Sequence, residues 1–202
     1  RIYCVQYDES DLDFIQRLCE EEGIHYHFQH TSSGHKLTFG DDQTVFPKLA
    51  PVAYQQDSGL VADKPVVKRF GLRLATRTSR TTRRDYDFVK PKIELESDAK
   101  SSAQPDLEDY DYPGRFVDRE RGKHLANRAL ERHRSDYRLA EGNSDQPILV
   151  SGHFLALTEH ANPTWNDLWL LTEIFHEGKQ PQVLEESVTS DTTDLKDDFH
   201  QG

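Results

Sequence analysis

The segment GIHYHFQH, from Gly23 to His30, places three histidines within six consecutive positions, and His35 follows shortly after it. Three acids, Glu20–Glu22, stand directly before the segment. Imidazole and carboxylate groups at this density are the ligands that zinc and related divalent metals use in proteins. The segment therefore raises the question of whether the protein holds a catalytic metal ion.

Strand geometry divides these histidines between two faces of a predicted hairpin. Successive side chains on a strand point to opposite faces, so His25 and His27 share one face, about 7 Å apart. His30 and His35 form a cross-strand pair on the other face, beside the turn. A third ligand for His25 and His27 would have to come from a neighbouring acid, which the spacing does not demand. A structural strand is favoured, and the alternative is a metal-dependent enzyme that uses the His25/His27 cluster.

Other patterns typical of catalysis or of cofactor binding fail in residue type or in context. His176-Glu177 begins like a helical zinc motif, but the fifth position is Gln180 and the segment is predicted as the end of a strand. Ser33 and Lys36 have Ser-x-x-Lys spacing, but in a hairpin turn rather than at a helix start. No nucleophile-elbow motif, phosphate-binding glycine loop or dinucleotide fingerprint occurs in the sequence. We therefore predict a protein that is not an enzyme and that has no catalytic residue, no metal site and no cofactor.

Charge is distributed unevenly along the chain. The formal net charge is -11, which disfavours general nucleic-acid binding. A basic stripe from Lys68 to Lys92 nevertheless carries nine basic residues, Arg83 and Arg84 among them, against two acids. We predict that this stripe meets an acidic protein surface and that nucleic acid is not a partner. A nucleic-acid-binding module is the alternative that the stripe leaves open.

Hydrophobic periodicity predicts two helices among several short strands. The first helix begins after Ser10 as its N-cap and ends at Gly23, and the second runs from Asp118 to about Ala140. Strands are predicted at Ile2–Tyr7, Ile24–His30, His35–Phe39, Val66–Thr76, Asp85–Leu95, Ile148–Leu157 and Leu168–His176. Thr78–Arg84 is predicted as a turn and Ser97–Pro105 as a flexible connection. This pattern predicts an α+β fold that is mainly antiparallel β.

Several motifs, in order, resemble one family. They are RIYCVQYDESDLDFIQRLCEEEGIHYHF at the start, RDYDFVKP (Arg84–Pro91), YDYPGR (Tyr110–Arg115) and LTEIFHEG (Leu171–Gly178). Together they span most of the chain and resemble the VgrG family, the valine-glycine repeat spike proteins of bacterial type VI secretion, which is similar to the baseplate hubs of contractile-tailed phages. The chain has no methionine and begins with Arg1, so we expect it to be a piece of a longer protein.

The resemblance implies a fold and an assembly. It implies a small β-barrel of the phage baseplate hub type, with a helix–hairpin subdomain at 1–50, a barrel-like module with an inserted helix at 51–180, and an acidic linker at 181–202. It implies a structural role: a homotrimer that docks the spike on the Hcp tube for contractile injection of effectors. Implied partners are the Hcp tube and baseplate proteins, with the PAAR tip protein and effectors reached through other regions. The implied location is the bacterial cytoplasm before firing and, after it, the outside or a target cell; no membrane-spanning segment is expected.

Overall fold

Ten strands and two helices form the regular structure of the residues that this computed structural model describes, 4–56 and 64–178. The helices are α1 (Asp11–Glu22) and α2 (Arg119–Arg134). The strands are β1 (His25–Thr31), β2 (Gly34–Gly40), β3 (Val52–Ala53), β4 (Val67–Leu74), β5 (Arg80–Asp85), β6 (Leu95–Lys100), β7 (Glu108–Asp111), β8 (Arg138–Ser144), β9 (His153–Thr158) and β10 (Leu168–Leu171).

These elements gather into two compact units, each built from separate stretches of the chain. Unit 1 takes the described parts of Arg1–Tyr26, Leu37–Gln43 and Arg73–Leu139. Unit 2 takes the described parts of His27–Lys36, Thr44–Leu72 and Ala140–Gly202. The division into modules at 1–50 and 51–180 stays a prediction, and the acidic linker at 181–202 lies outside the described residues.

Helix α1 begins and ends at the residues that its sequence predicts. The Ser10 hydroxyl accepts a hydrogen bond from the backbone N–H of Asp13 at 3.2 Å and donates one to the Asp13 carboxylate at 2.7 Å. At the other end Gly23 adopts a left-handed φ of 72°, and its N–H bonds to the Cys19 carbonyl. A side chain at Gly23 would also collide with Arg128 of α2, so both the backbone and the packing require glycine here.

Helix α2 covers one face of the three-stranded sheet of unit 1. In that sheet β5 lies at the centre, antiparallel to β6 and parallel to β7. The buried residues of α2 are small, Gly122, Ala126 and Ala129, which lets the helix backbone approach the sheet closely. The Thr81 hydroxyl of β5 consequently reaches the Ala126 carbonyl and donates to it at 2.7 Å.

Two ion pairs fasten α1 to α2 within unit 1. Arg121 donates two hydrogen bonds to the Glu22 carboxylate, at 2.7 and 2.5 Å, in a bidentate geometry. Arg132 donates to Glu20 at 2.7 Å. Two of the three acids before the histidine segment, Glu20 and Glu22, therefore belong to a contact between the two helices.

Unit 2 is organised around strand β9. This strand pairs antiparallel with β10 and parallel with the short β3. The core beneath it is aliphatic and is formed by Val52, Val67, Leu149, Leu155 and Leu157. Phe70 of β4 lies 4.9 Å from the Trp169 ring and 5.7 Å from the Trp165 ring, between centroids, so aromatic packing anchors the β9–β10 loop.

The predicted hairpin is confirmed as the two-stranded sheet of β1 and β2. Tyr26 and Phe39 pack together at 5.8 Å between ring centroids, as the predicted register requires. At the turn end His30 and His35 face each other, also as predicted. A second two-stranded sheet joins β4 and β8.

The predictions around the basic stripe are wrong in their assignment of strand and turn. Thr78–Arg84, predicted as a turn, contains most of β5, the central strand of unit 1. Asp85–Leu95, predicted as a strand, is mostly loop, and Ser97–Pro105, predicted as flexible, contains most of β6. The cause is the polar inner face of β5, where buried Thr81 and Arg83 replace the apolar residues that mark a strand.

Other boundaries also differ from the predictions. The second helix stops at Arg134 rather than near Ala140, because the chain turns at Ser135 and pairs as β8 with β4. Residues 4–7 of the predicted strand Ile2–Tyr7 are irregular, and the first three residues lie outside the described part. The last two predicted strands are shorter than expected, as β9 and β10.

The fold class is α+β with mostly antiparallel strands, as predicted from the sequence. Over the described residues the strands form two sheets of two strands and two sheets of three. Neither described helix is long and apolar enough to cross a bilayer.

Substitution of Gly122 by Ala tests the close packing of α2. Helix propensity alone favours alanine by up to about 1 kcal/mol. A Cβ at this position would, however, lie 2.6 Å from both the Phe116 ring and the Ser97 hydroxyl, and Phe116 is buried. We expect Gly122→Ala to lower the free energy of unfolding by about 1–2 kcal/mol, measured by urea denaturation, because overpacking outweighs propensity.

The matched control is Gly71→Ala in β4. There the nearest atom to a new Cβ is the Glu141 carbonyl oxygen at 3.9 Å, an ordinary contact. We expect this variant to be as stable as the parent or more stable. Stabilisation by Gly122→Ala would show that the helix does not press on Phe116.

Candidate interaction surface

His25 and His27 both lie half-buried on β1, on the same face of the strand as predicted. The His27 ring packs against Phe46, with centroids 5.0 Å apart, and fits over Gly152, where an added Cβ would lie 2.9 Å from the ring. The side chain of Gln29 reaches the His27 ring at 3.4 Å. His27 thus serves as a packing residue of unit 2.

No set of three or more His, Cys, Asp or Glu side chains arranged to hold a metal ion occurs within residues 4–56 and 64–178. The metal-dependent enzyme that uses the His25/His27 cluster therefore lacks a complete protein ligand set in that part of the chain. His176, the start of the failed zinc motif, donates from its Nε2 to the Leu149 carbonyl at 2.9 Å. His176, like His27, therefore has a contact within unit 2 that supports the fold.

The basic stripe is neutralised largely within the molecule rather than left for a partner. Lys68 lies 3.4 Å from Asp145 in unit 2. In unit 1, each of four arginines has an acidic partner. These pairs are Arg77 with Asp136, Arg80 with Asp106 and Glu108, Arg83 with Asp109 and Asp111, and Arg84 with Glu94 and Glu96. Five of the nine basic residues of the stripe thus have an acidic partner within their own unit, and the contact of the stripe with an acidic partner stays a prediction.

Arg83 in particular is buried and cannot contact a partner. Its guanidinium, on a side chain that is 9% exposed, donates to the Asp109 carboxylate of β7 at 2.7 Å. His133 of α2 contacts the same Asp109 oxygen at 3.0 Å. Burial raises the pKa of the Asp109 carboxyl, but the bonds from Arg83 and His133 outweigh burial and hold that pKa below its ordinary value. The network joins the central strand, an edge strand and the helix.

A groove lined by tyrosines is the most distinctive exposed feature of unit 1. The tyrosine groove, of about 440 Å³, contains Tyr86, Tyr110 and Tyr112 together with Ile93. Tyr86 is 58% exposed and Tyr112 57% exposed. Its rim carries both signs of charge, from Arg84, Asp85, Lys92 and Glu94.

Local bonds after β5 fix the walls of the tyrosine groove. The Asp85 carboxylate accepts from the backbone N–H of Tyr86 at 2.7 Å and from that of Phe116 at 3.0 Å. The Gly114 N–H donates to the Arg84 carbonyl at 2.8 Å, and a Cβ on Gly114 would collide with Phe116. The DYDF and YDYPG segments are thereby held side by side.

Exposed tyrosines around a preformed groove suit contact with another protein. Tyrosine offers a large apolar area with one hydroxyl and loses little conformational entropy, which is why it is enriched in the centres of interfaces. Sequence reasoning missed this surface because it placed Tyr86 inside a strand with core packing as the default. The available signal was the clustering of tyrosines beside turn residues in DYDF and YDYPG.

Comparison with known proteins matches residues 1–182 to the phage tail baseplate hub (GPD) family. The whole chain is 70% identical, over 207 aligned residues, to the type VI secretion system spike protein VgrG4b of Pseudomonas aeruginosa, and covers 26% of that protein. It is 33% identical to the actin cross-linking toxin VgrG1 of Vibrio cholerae, where 98% of this chain covers 19% of the toxin. The chain thus spans about a quarter of the length of the first of these relatives and about a fifth of the second.

A solved structure shares the fold. The 43 kDa tail protein of prophage MuSo2 from Shewanella oneidensis superposes with a TM-score of 0.56, over 82% of this chain and 50% of that one. Sequence identity between the two is 13%.

The Arg83–Asp109 pair predicts a defined pH dependence. Because the Asp109 pKa is lowered in the folded state, the charged carboxylate stabilises the fold above its unfolded pKa of about 3.9, and this stabilisation is lost as pH falls through the folded value. We expect Asp109→Asn to cost about 2 kcal/mol of unfolding free energy at pH 7, measured by urea denaturation. The difference from the parent should shrink below about pH 4.

Asp111→Asn is the matched control on the same strand. Asp111 lies 3.8 Å from Arg83 and its side chain is 57% exposed, so it should contribute little to stability. An equal loss in both variants, or a difference that is independent of pH, would contradict a specific role for Asp109.

Proposed function

The chain belongs to the phage tail baseplate hub family, in the form found in VgrG-type secretion spikes, and from that premise we propose that it is the hub region of a type VI secretion spike. In this role three copies form a homotrimer that docks the spike on the Hcp tube. The role is structural, and the process in which the hub takes part is the contractile injection of effectors.

The observation that carries this proposal is the family match over residues 1–182, joined by 70% identity to a type VI spike protein over the whole chain. The fold supports the same role. The described residues have an α+β fold like that of a phage tail protein, and their two compact units are built from segments that interleave along the chain, with both α-helices in unit 1.

We further propose that the chain contributes a small β-barrel of the phage baseplate hub type to the assembled hub. Each chain of the whole spike would supply two barrel-like modules, the module at 51–180 among them, so that three chains form a ring with sixfold character. A sixfold ring matches a hexameric tube in symmetry, which lets each module meet one tube subunit. The linker at 181–202 would lead towards the remainder of the spike.

The tyrosine groove supplies a contact for a neighbouring copy of the hub chain. Burial of its aromatic walls against a partner would be favourable, and its rim carries charges of both signs. A surface of mixed charge fits a partner of the same sequence, since another copy also offers both signs around its own exposed edges. The groove lies beside an edge strand, β7, which gives a neighbouring chain access to it.

Further partners follow from the same role. Baseplate proteins would surround the hub, whereas the PAAR tip protein and the effectors would bind through regions outside this chain. The protein would stand in the bacterial cytoplasm until the sheath contracts, and then be secreted or injected into a target cell. Neither nucleic acid nor a cofactor is needed for this work.

Multi-angle light scattering of the chain, with and without the Hcp tube protein, tests the proposal. We expect a trimer of roughly 70 kDa, three times 23.4 kDa, or retention of the chain on immobilised tube. Tyr112→Ala should weaken self-association at least tenfold, because it removes an exposed aromatic wall of the groove. The same substitution in a complete spike should reduce secretion of the tube protein.

Tyr7→Ala is the matched control. Tyr7 belongs to the same unit and is 85% exposed, but it does not line the groove. It should leave assembly and secretion unchanged. A complete spike that remains monomeric, or that trimerises and secretes normally with Tyr112→Ala while its fold is intact, would overturn the hub contact that we assign to the groove.

A further inference from the structure

His30 and His35 meet at the open end of the hairpin with unusual closeness. Their Nδ1 atoms lie 2.6 Å apart, and their ring centroids 4.7 Å apart at an interplanar angle of 75°. Both side chains are exposed to solvent. Two ring nitrogens at this distance share a single hydrogen, so one ring must present a lone pair to the other.

The backbone around the pair is held by local bonds. The Thr31 hydroxyl donates to the Gly34 carbonyl at 3.1 Å and lies 3.0 Å from the Ser33 hydroxyl, which closes the turn between the two histidines. On the strand side, the His30 ring stacks nearly parallel to Phe28, at 16° and 6.3 Å between centroids. These contacts hold the two Nδ1 atoms close together at the end of the hairpin.

We propose that this pair is a surface binding site for a borderline divalent cation, with Cu²⁺ and Ni²⁺ bound more tightly than Zn²⁺. The cation displaces the shared proton and binds both Nδ1 atoms from a point off the line that joins them, once the rings have rotated and moved slightly apart. With metal–nitrogen bonds of about 2.0–2.1 Å, a right angle at the metal places two nitrogens about 2.9 Å apart, and a tetrahedral angle about 3.3 Å. The observed 2.6 Å is nearer to the right angle, which square-planar Cu²⁺ and Ni²⁺ adopt.

The site is open, and water completes it. In the described part of the chain no third His, Cys, Asp or Glu joins the pair in a metal-binding group. Since both rings are exposed, the remaining positions of the cation face solvent and remain available to water or to a ligand from a partner. The proposal departs from the sequence-based prediction of no metal site, and it concerns the face of β1 opposite to His25 and His27.

A bound cation would join the ends of β1 and β2 across the turn. Anything that binds the folded hairpin in preference to the unfolded chain stabilises it, so the cation should raise the stability of this end of the sheet. The proposal is independent of hub assembly, and neither result decides the other.

Calorimetric titration of the untagged 202-residue chain with Ni²⁺ at pH 7.5 tests the site. We expect one tight ion per chain. His30→Gln and His35→Gln should each weaken binding at least tenfold, and the double variant should bind no more weakly than either single variant, because loss of one ring already abolishes chelation. Titration with Zn²⁺ should give weaker binding than with Ni²⁺.

His25→Gln is the matched control, since it removes one histidine from the same strand on the opposite face. It should change Ni²⁺ affinity by less than twofold, and circular dichroism should show that all variants fold. An equal loss in His25→Gln, unchanged affinity in His30→Gln, or the absence of Ni²⁺ binding by the parent chain would each overturn the proposal.

Discussion

The pair of buried Arg83 with half-buried Asp109 is the interaction on which unit 1 depends. Arg83 lies on the central strand β5, Asp109 lies on β7, and His133 of α2 contacts the same carboxylate, so one charge network fixes three elements. A charge removed from water must be matched closely or its desolvation destabilises the fold. The position of β7 beside β5 is consequently dictated by charge pairing in addition to backbone bonds. The Thr81 hydroxyl, which bonds to the Ala126 carbonyl, completes this polar inner face.

The same interaction explains which parts of the fold can be predicted from the sequence. Helix α1 was predicted to within a residue because Ser10 and Gly23 act locally, through a hydroxyl at one end and a left-handed backbone at the other. The hairpin was predicted because its alternation is strict. Strand β5 was not, since its interior side chains are Thr and Arg, which become suitable for burial only when partners distant in sequence are present. Local pattern carries no information about such partners.

Pairing within the molecule also decides where a partner protein can bind. The stripe from Lys68 to Lys92 resembles a docking surface in the sequence, yet much of its charge is already matched, with Lys68 and Arg77 each holding an acid of their own unit. A basic side chain that is already paired with an acid gains little binding energy from a new partner, because the existing ion pair must first be broken. By contrast, the tyrosine groove exposes apolar area, and Tyr86 and Tyr112 are each more than half exposed there. For this reason we assign the proposed contact with a neighbouring chain to the exposed aromatic area of unit 1 rather than to its net charge.

The histidine segment illustrates the same distinction between matched and available groups. His27 and His30 are three residues apart on one strand, and strand geometry sends their rings to opposite faces. His27 packs against Phe46 and over Gly152, so its ring is committed to holding unit 2 together. His30 faces solvent, and its Nδ1 shares a hydrogen with the Nδ1 of His35. A hydrogen bond between two exposed imidazoles is easier to replace than the packing of a ring, because a cation can displace the shared proton without disturbing the core. The density of histidines in the sequence thus says little about chemistry until the structure shows which imidazoles are already committed to packing.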